Sequence, residues 1–387
     1  MKNNPFYDPS LSGRHRSARL FKWYTRASIL LTLAFLAFFL FDMGRTAYPA
    51  LWQTYVHVDV TYTEKTARLT QKAVDKKYRK VISRAWLREI PNQLQHRPEL
   101  MGTTVKQWVL ADDQVDQYMK GHHNNLKQKQ IAVIEELKQS GEIELDWNDV
   151  FFTKGDSKLP ENAGVLSAMI GSILTLLVTM VIAFPLGLMT AIYLEEFAKD
   201  NILTRFIEVN INNLAAIPSI LFGLLGLAVF INLFGLPRSS PLVGGLTLAL
   251  MTLPIIIVSS RAALRSVPDS IRQAGYGLGL TRVQIVQGHV LPIAMPGVLT
   301  GSIIGVAQAV GETAPLIIIG MIAFIPDSPS SIVEAATVLP AQIFTWAGMP
   351  ERAYVEKTAA GIVVILSILL TLNAAAIYLR KKYEIKW

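Results

Sequence analysis

From residue 164 to residue 194 not one side chain is charged. A helix needs about 20 mostly apolar residues to cross the hydrocarbon core of a bilayer, and this stretch exceeds that. Inside lipid each backbone N–H and C=O must find its partner within the segment, so an apolar run of this length specifies a helix. Comparable runs occupy residues 28–41, 211–236, 242–260, 293–325 and 358–379; the run 293–325 contains a single acid. The expected fold is therefore an all-α polytopic membrane protein with about six transmembrane helices.

The charged residues are confined to what remains. They make up 17% of the chain, below the roughly 25% of soluble domains, and crowd before Ala27 and between Thr61 and Lys158. The net charge of +8 does not point to nucleic acid. The cations flank apolar spans, where they set topology, and no basic patch with interleaved aromatics is present. The absence of cysteine excludes disulfides and thiol catalysis and leaves a zinc site only His and carboxylates. His122 and His123 have no third ligand at metal spacing, so they read as a solvated loop pair and no metal site is expected.

Cations also orient the spans. Arg14, Arg16, Arg19, Lys22 and Arg26 precede the first one. The basic lead is long and lacks a clear cleavage site, so the segment reads as a retained helix and not a signal peptide. Lys199 and Arg205, then Arg261, Arg265, Arg272 and Arg282, then Arg380, Lys381, Lys382 and Lys386 all fall on the same side if every span crosses. That side is cytoplasmic by the positive-inside rule, and both termini lie there. The expected organisation is a basic cytoplasmic segment 1–27, a first helix 28–46, a periplasmic domain 47–162, a transmembrane core 163–380 with a cytoplasmic loop 264–292, and a tail 381–387. The chain is thus expected in a bacterial inner membrane.

Residues 47–162 carry both charges and form the insert after the first helix. Residues 61–89 and 126–137 read as helices. Residues 142–152, with Ile143, Leu145 and Trp147 alternating, read as a strand. A small extracytoplasmic α+β domain is expected.

The loop is the most informative segment. Pro268 suits the first turn of a helix, Gly279 its left-handed end, and Thr281 with Gln284 a capping box opening a second short helix. Pro292 is expected to limit that helix and open the next span. Ala274, Gly275, Gly277 and Gly279 gather small residues at the corner, where another protein's backbone could approach closely. Taken alone, such a segment could equally be a plain connector.

Its spacing resembles the Glu-Ala-Ala loop of ABC-importer permeases, which continues to Gly and then Ile-x-Leu-Pro. Gln273, Ala274 and Gly275 stand at the first three places, Gly279 at the Gly, and Leu291-Pro292 at the end; Gln273 replaces Glu and His289 replaces Ile. Residues 210–226 resemble the third span of phosphate-specific permeases, and Gly311-Glu312-Thr313-Ala314-Pro315 resembles the signature of the PstA type. Together these motifs cover most of the chain from residue 164 onward. The insert resembles an extra N-terminal domain of some members.

The resemblance implies a permease subunit importing inorganic phosphate. The loop would dock in a groove of an ATP-binding subunit dimer, beside a second homologous permease subunit and beneath a periplasmic phosphate-binding protein. The surroundings would be membrane lipid, and no nucleic acid is implied. The chain lacks a phosphate-binding P-loop, so it should bind no cofactor and hydrolyse no ATP. ATP belongs to the partner ATPase.

Glu312 lies in an otherwise uncharged span, where an ionisable group costs on the order of 2.5–3.5 kcal/mol by insertion scales. Pro315 follows and would free nearby carbonyls. Phosphate still carries protons at neutral pH, so a carboxylate can accept from it while repelling fully ionised sulfate. A structural bond between spans is the other reading. Asn212, Asn213, Ser219, Thr313 and Arg261 are candidate donors to an anion. Asn212 and Asn213 are equally helix-pairing residues, and Arg261 is equally a topology marker. Many family members carry an arginine four residues before the acid of the signature. Here that place is Gln308, which leaves the positive charge to the partner permease. Gly223, Gly226, Gly301 and Gly305 suit close helix packing, within the chain or against a second permease, and Pro185, Pro218 and Pro254 interrupt spans as in gated paths.

Other classes fit less well. A permease for phosphonate or molybdate lacks a reason for the Gly-Glu-Thr-Ala-Pro segment. A membrane-anchored sensor needs a cytoplasmic signalling domain, and no segment is long enough. A membrane enzyme needs recurring acid pairs or His clusters within spans.

Overall fold

A computed structural model describes residues 11–383 other than Ala323. The cationic tail residue Lys386 lies outside the described residues. The described residues begin with one long helix, α1 (Leu11–Ala47), and enter the insert through β1 (Trp52–Thr61). There follow α2 (Glu64–Arg68), α3 (Arg84–His96), β2 (Thr104–Leu110), α4 (Asp113–Met119), α5 (Gln128–Gln139), β3 (Ile143–Trp147) and α6 (Asp149–Thr153).

The three strands form an antiparallel sheet in the order β2-β1-β3. Val58 pairs with Gln107, and Trp52 pairs with Trp147. Side chains alternate across a strand, so Val56, Val58 and Val60 all face one way. They are buried with Ile82, Leu87, Ile90, Val115, Ile134 and Leu137 beneath the helices. One face is thus covered and the other half-solvated, as antiparallel sheets permit.

The α+β character matches expectation, but two elements do not. Residues 61–89 are not one helix. Their apolar residues come as adjacent pairs, Ala73-Val74 and Val81-Ile82, and adjacent residues do not share a helix face. All four are buried, by a chain that turns at Asp75, whose side chain accepts from the Lys77 N–H at 2.9 Å. Ile82 then bridges to Ala111 at the sheet edge. The strand expected at 142–152 stops at Trp147, because Asn148 caps α6 by accepting from the Phe151 N–H at 3.0 Å.

The core holds α7 (Leu166–Ile192), α8 (Ile202–Ala215), α9 (Ser219–Leu225), α10 (Pro241–Arg265), α11 (Asp269–Gly277), α12 (Arg282–Ile285), α13 (Leu291–Gly311), α14 (Ala314–Ile318), α15 (Leu339–Ala347) and α16 (Arg352–Tyr383). Among the described residues five helices are long and apolar enough to cross a membrane, or six if α8 with the α9 segment counts as one span bent by 105°. Pro218 stands at that bend. It has no N–H to continue the ladder, and it disfavours helix in the residue before it.

The span expected at 293–325 is also broken. The helix ends at Gly311, Glu312 is extended (φ −76°, ψ 124°), and α14 begins two residues later. Small residues seat the helices on one another inside this chain. A side chain at Gly223 would meet the Pro315 Cα at 2.7 Å, and one at Gly305 would touch Ile256 at 3.5 Å; Gly226 faces Thr247 and Gly301 faces Ser259.

The insert is bolted to the core. The Trp346 indole donates to Asp156 at 2.8 Å, the Tyr354 hydroxyl to the Ser157 carbonyl at 2.6 Å, and Lys357 Nζ to the Ala163 carbonyl at 2.5 Å. Lys120 of the insert lies 3.3 Å from Glu356 of α16, while within the insert Ser83 donates to Glu161 at 2.7 Å.

Candidate functional site

The loop folds as two short helices joined by a Schellman turn. Gly279 takes φ +77°, the left-handed region that glycine reaches without penalty. Its N–H donates to the Tyr276 carbonyl at 2.9 Å, and the Leu280 N–H donates to Gly275 at 3.1 Å. Thr281 then caps α12, with its N–H on Gln284 Oε1 at 2.8 Å and its hydroxyl accepting from the Gln284 N–H at 3.4 Å.

Three details depart from expectation. Pro268 is the residue before α11 rather than in its first turn. Pro292 opens α13 as its second residue, as expected, but it does not limit α12, which ends at Ile285. A wide π turn at residues 286–290 joins α12 to α13 and runs straight into the span, which makes room for a ring that would clash with an α-helical carbonyl four residues back. Gly275 does not serve a partner's approach, because a Cβ there would stand 2.6 Å from Ile285 Cγ1. It lets α12 lie on α11. What the corner does present outward is Gln273, Ala274, Tyr276, Gly277, Leu278 and Gly279, with Leu278 79% exposed. Leu291 and Pro292 are half-buried at the foot of α13.

Behind this surface lies an ion-pair lattice. Arg272 on α11 donates to Glu196 from Nη2 at 2.6 Å and from Nε at 3.3 Å, and to the carbonyls of Leu264 and Val267 at 3.0 and 2.8 Å. Arg265 makes a two-pronged pair with Glu195, both bonds 2.9 Å. Arg261 donates to Glu208 at 2.6 Å and to Glu195 at 3.4 Å. Its charge is thus spent on two carboxylates, and the structure gives it a stapling place between α10, α7 and α8. Glu195, Glu196 and Glu208 were not picked out from sequence. The signal was available, since two adjacent acids end an apolar span on the same side as three arginines.

The second region is where the broken helices meet. The short helix α9 lies on α14, with Gly223 against the Pro315 backbone and Ile318. Glu312 and Thr313 sit at the break, half-buried, and the Glu312 carboxylate has no hydrogen-bond or ion-pair partner among the described residues. Ser219 opens α9 and is half-buried; Asn212, Asn213 and Gln308 are exposed. The structure therefore brings the 218–225 and 312–318 segments together and leaves Arg261 apart in the ion-pair lattice. Discontinuous helices with freed backbone are tolerated in a bilayer only against protein or a water-filled path.

Residues 183–384 match the family of binding-protein-dependent transport system inner membrane components, and residues 8–91 and 62–129 match a domain of unknown function. The phosphate transport system permease protein PstA 1 of Mycobacterium tuberculosis is 32% identical over 57% of this chain and 73% of its own length. The probable ABC transporter permease protein YqgI of Bacillus subtilis is 30% identical over 58% of this chain and 81% of its own. A solved MetNI methionine ABC transporter, inward-facing, is 21% identical over 56% of this chain and 95% of that chain, with a TM-score of 0.45. The chain belongs to the family of binding-protein-dependent transport system inner membrane components, as a permease of the PstA type.

Proposed function

We propose that this permease imports inorganic phosphate, driven by a separate ATPase docked on the 264–292 loop. The relative from Mycobacterium tuberculosis is named a phosphate transport permease, and the segment Gly311–Pro315 supports the same substrate. The observation that carries the reading is the unpartnered Glu312 carboxylate at the paired helix breaks. A protonated phosphate oxygen can donate to it, and a fully ionised oxyanion cannot. Asn212, Asn213, Ser219 and Thr313 are the donors nearest in sequence to the breaks. Gln308 carries no charge, so a second permease subunit supplies cationic groups.

In the same reading both termini and the loop are cytoplasmic, and the insert is periplasmic, where a phosphate-binding protein delivers its cargo. The loop's exposed corner, Gln273 to Gly279, enters the ATPase groove. Arg272 then passes motion to α7 through Glu196. The test is ATP-dependent uptake of radiolabelled phosphate by vesicles holding the co-expressed complex. Uptake of molybdate or phosphonate in preference to phosphate would reject the assignment.

A further inference from the structure

Where α1 meets the insert, Asp42, Arg45, His122, Arg352 and Glu356 line one polar cavity of about 260 Å3. That is far above the roughly 10–15 Å3 that accommodates a water. Arg45 and Arg352 are exposed, and neither guanidinium has a hydrogen-bond or ion-pair partner among the described residues; nor has Asp42. Glu356 is 5% exposed, yet its Oε1 accepts no hydrogen bond. His122 Nδ1 stands 2.8 Å from it, and Lys120 takes the other oxygen at 3.3 Å. With two unpartnered arginines and the unpartnered Asp42 carboxylate, the cavity suits an anion that also carries a donor.

Its depth is fixed by two independent features. The apolar run of α1 ends at Asp42 and that of α16 begins at Thr358, and the two helices lie against each other. An aromatic ladder also leaves the end of α1. Tyr48 and Trp52 are 6.4 Å apart, Trp52 and Trp147 6.3 Å, and Trp147 and Phe152 5.7 Å and stacked. Tyr48, Trp147 and Phe152 remain 60%, 45% and 37% exposed. Tyr and Trp gather at the headgroup level of a bilayer.

We propose that this cavity holds the headgroup of a phospholipid in the leaflet facing the insert. The phosphodiester lies between Arg45 and Arg352, and a primary ammonium donates to Asp42. Arginine suits phosphate oxygens. Free inorganic phosphate shares that chemistry, but its second charge would face two carboxylates with no ammonium to offset them. A quaternary ammonium has no hydrogen to give. The occupant is therefore phosphatidylethanolamine. The site is separate from Glu312 and does not depend on the transported substrate.

The test is native mass spectrometry of the full chain, delipidated in detergent and titrated with phosphatidylethanolamine, phosphatidylglycerol or inorganic phosphate. One phosphatidylethanolamine per chain should be retained at least tenfold more strongly than phosphatidylglycerol. The pair Arg45→Gln and Arg352→Gln should reduce that retention at least tenfold. Asp42→Asn, at an exposed position that leaves folding intact, should erase the preference between the two lipids. Equal retention of both lipids, unchanged retention in the double variant, an unaltered preference in Asp42→Asn, or displacement by millimolar inorganic phosphate would each overturn the proposal. The last outcome would reassign the cavity to a soluble anion.

Discussion

Arg272 on the first loop helix and Glu196 at the foot of α7 are joined by two hydrogen bonds, 2.6 and 3.3 Å long, and the Glu196 side chain is only 5% exposed. Glu196 sits in a π turn, residues 193–197, that closes the span. A push on α11 therefore reaches α7 through a rigid fork rather than a flexible chain. The same carboxylate raises the affinity of the Arg272 guanidinium for its proton, so the guanidinium keeps its charge.

The first prediction follows from that link. Removing one member of a buried pair costs on the order of 3–5 kcal/mol, because the other charge is left without compensation. Glu196→Gln should leave the exposed corner intact, so the ATPase still binds. The number of ATP molecules consumed per phosphate imported should rise severalfold. Arg272→Lys should behave similarly, since an ammonium cannot reproduce the two-pronged bond. An unchanged ratio in both variants would disprove the linkage.

The loop glycines make a second, graded prediction. Gly279→Val places a β-branched residue at φ +77°, a conformation costing L-residues roughly 1–2 kcal/mol and more for β-branched ones. Gly275→Val drives a side chain into Ile285 and separates α11 from α12. Gly277 has nothing within 4 Å and lies in helix, so Gly277→Ala should be tolerated or stabilising by about 1 kcal/mol. Co-purification of the ATPase should fall for the first two and persist for the third. Full retention in Gly279→Val would remove the turn from the docking mechanism.

How much of this could be read in the sequence varies with the physics involved. The spans were legible because bilayer thickness sets a length that hydropathy alone reveals. The Gly279 turn and the Thr281 cap were legible because each is a local motif with its own residue code. The break at Glu312 was not, since residues 293–325 remain apolar across it and the bend is fixed by packing of α9 on Pro315. Gly275 was misassigned for a related reason: a small residue looks alike whether the backbone it admits is a partner's or Ile285 of the same chain. The strand β1 was legible in the alternation of Val56, Val58 and Val60 but was not assigned. Arg261 was half legible. Its place at the end of a span was plain in the sequence, while its carboxylate partners lie 53 and 66 residues away.

The junction between insert and core carries a pH dependence. Burial, with the nearby charges of Asp113 and Glu161, pushes Asp112 up to about 7. Burial pushes Asp156 up to about 6, although the Trp346 indole bond opposes it. Both groups hold protons in the folded state that an unfolded carboxyl releases near pH 4. Stability is therefore greatest below about pH 4 as far as these groups are concerned, and is lost as pH rises through 6 and 7. Glu142, held down by Lys106, has the opposite sign but acts only below its ordinary range. The unfolding temperature of the purified chain should drop between pH 5.5 and pH 8. Asp112→Asn should flatten the slope, because Asn keeps the cap to the Gln114 N–H and has no proton to lose. A slope unaffected by that change would place the dependence elsewhere.

Glu312→Gln tests the transport reading itself. The amide matches the carboxylate in shape, so helix packing at the break should survive. It is neutral and turns one acceptor into a donor. Charge-assisted hydrogen bonds are about twice as strong as neutral ones. If the carboxylate receives a phosphate proton, uptake should fall by roughly tenfold, the equivalent of about 1.4 kcal/mol, and sulfate should compete where it did not before. Because the side chain has no partner within the described chain, its replacement should leave thermal stability within about 0.5 kcal/mol, as expected for a site away from structural contacts. A structural acid would show the reverse order, with stability or subunit assembly changing before selectivity. The decisive measurement is paired phosphate and sulfate uptake in reconstituted vesicles, alongside subunit stoichiometry. Full uptake with sulfate still excluded would take Glu312 out of the path.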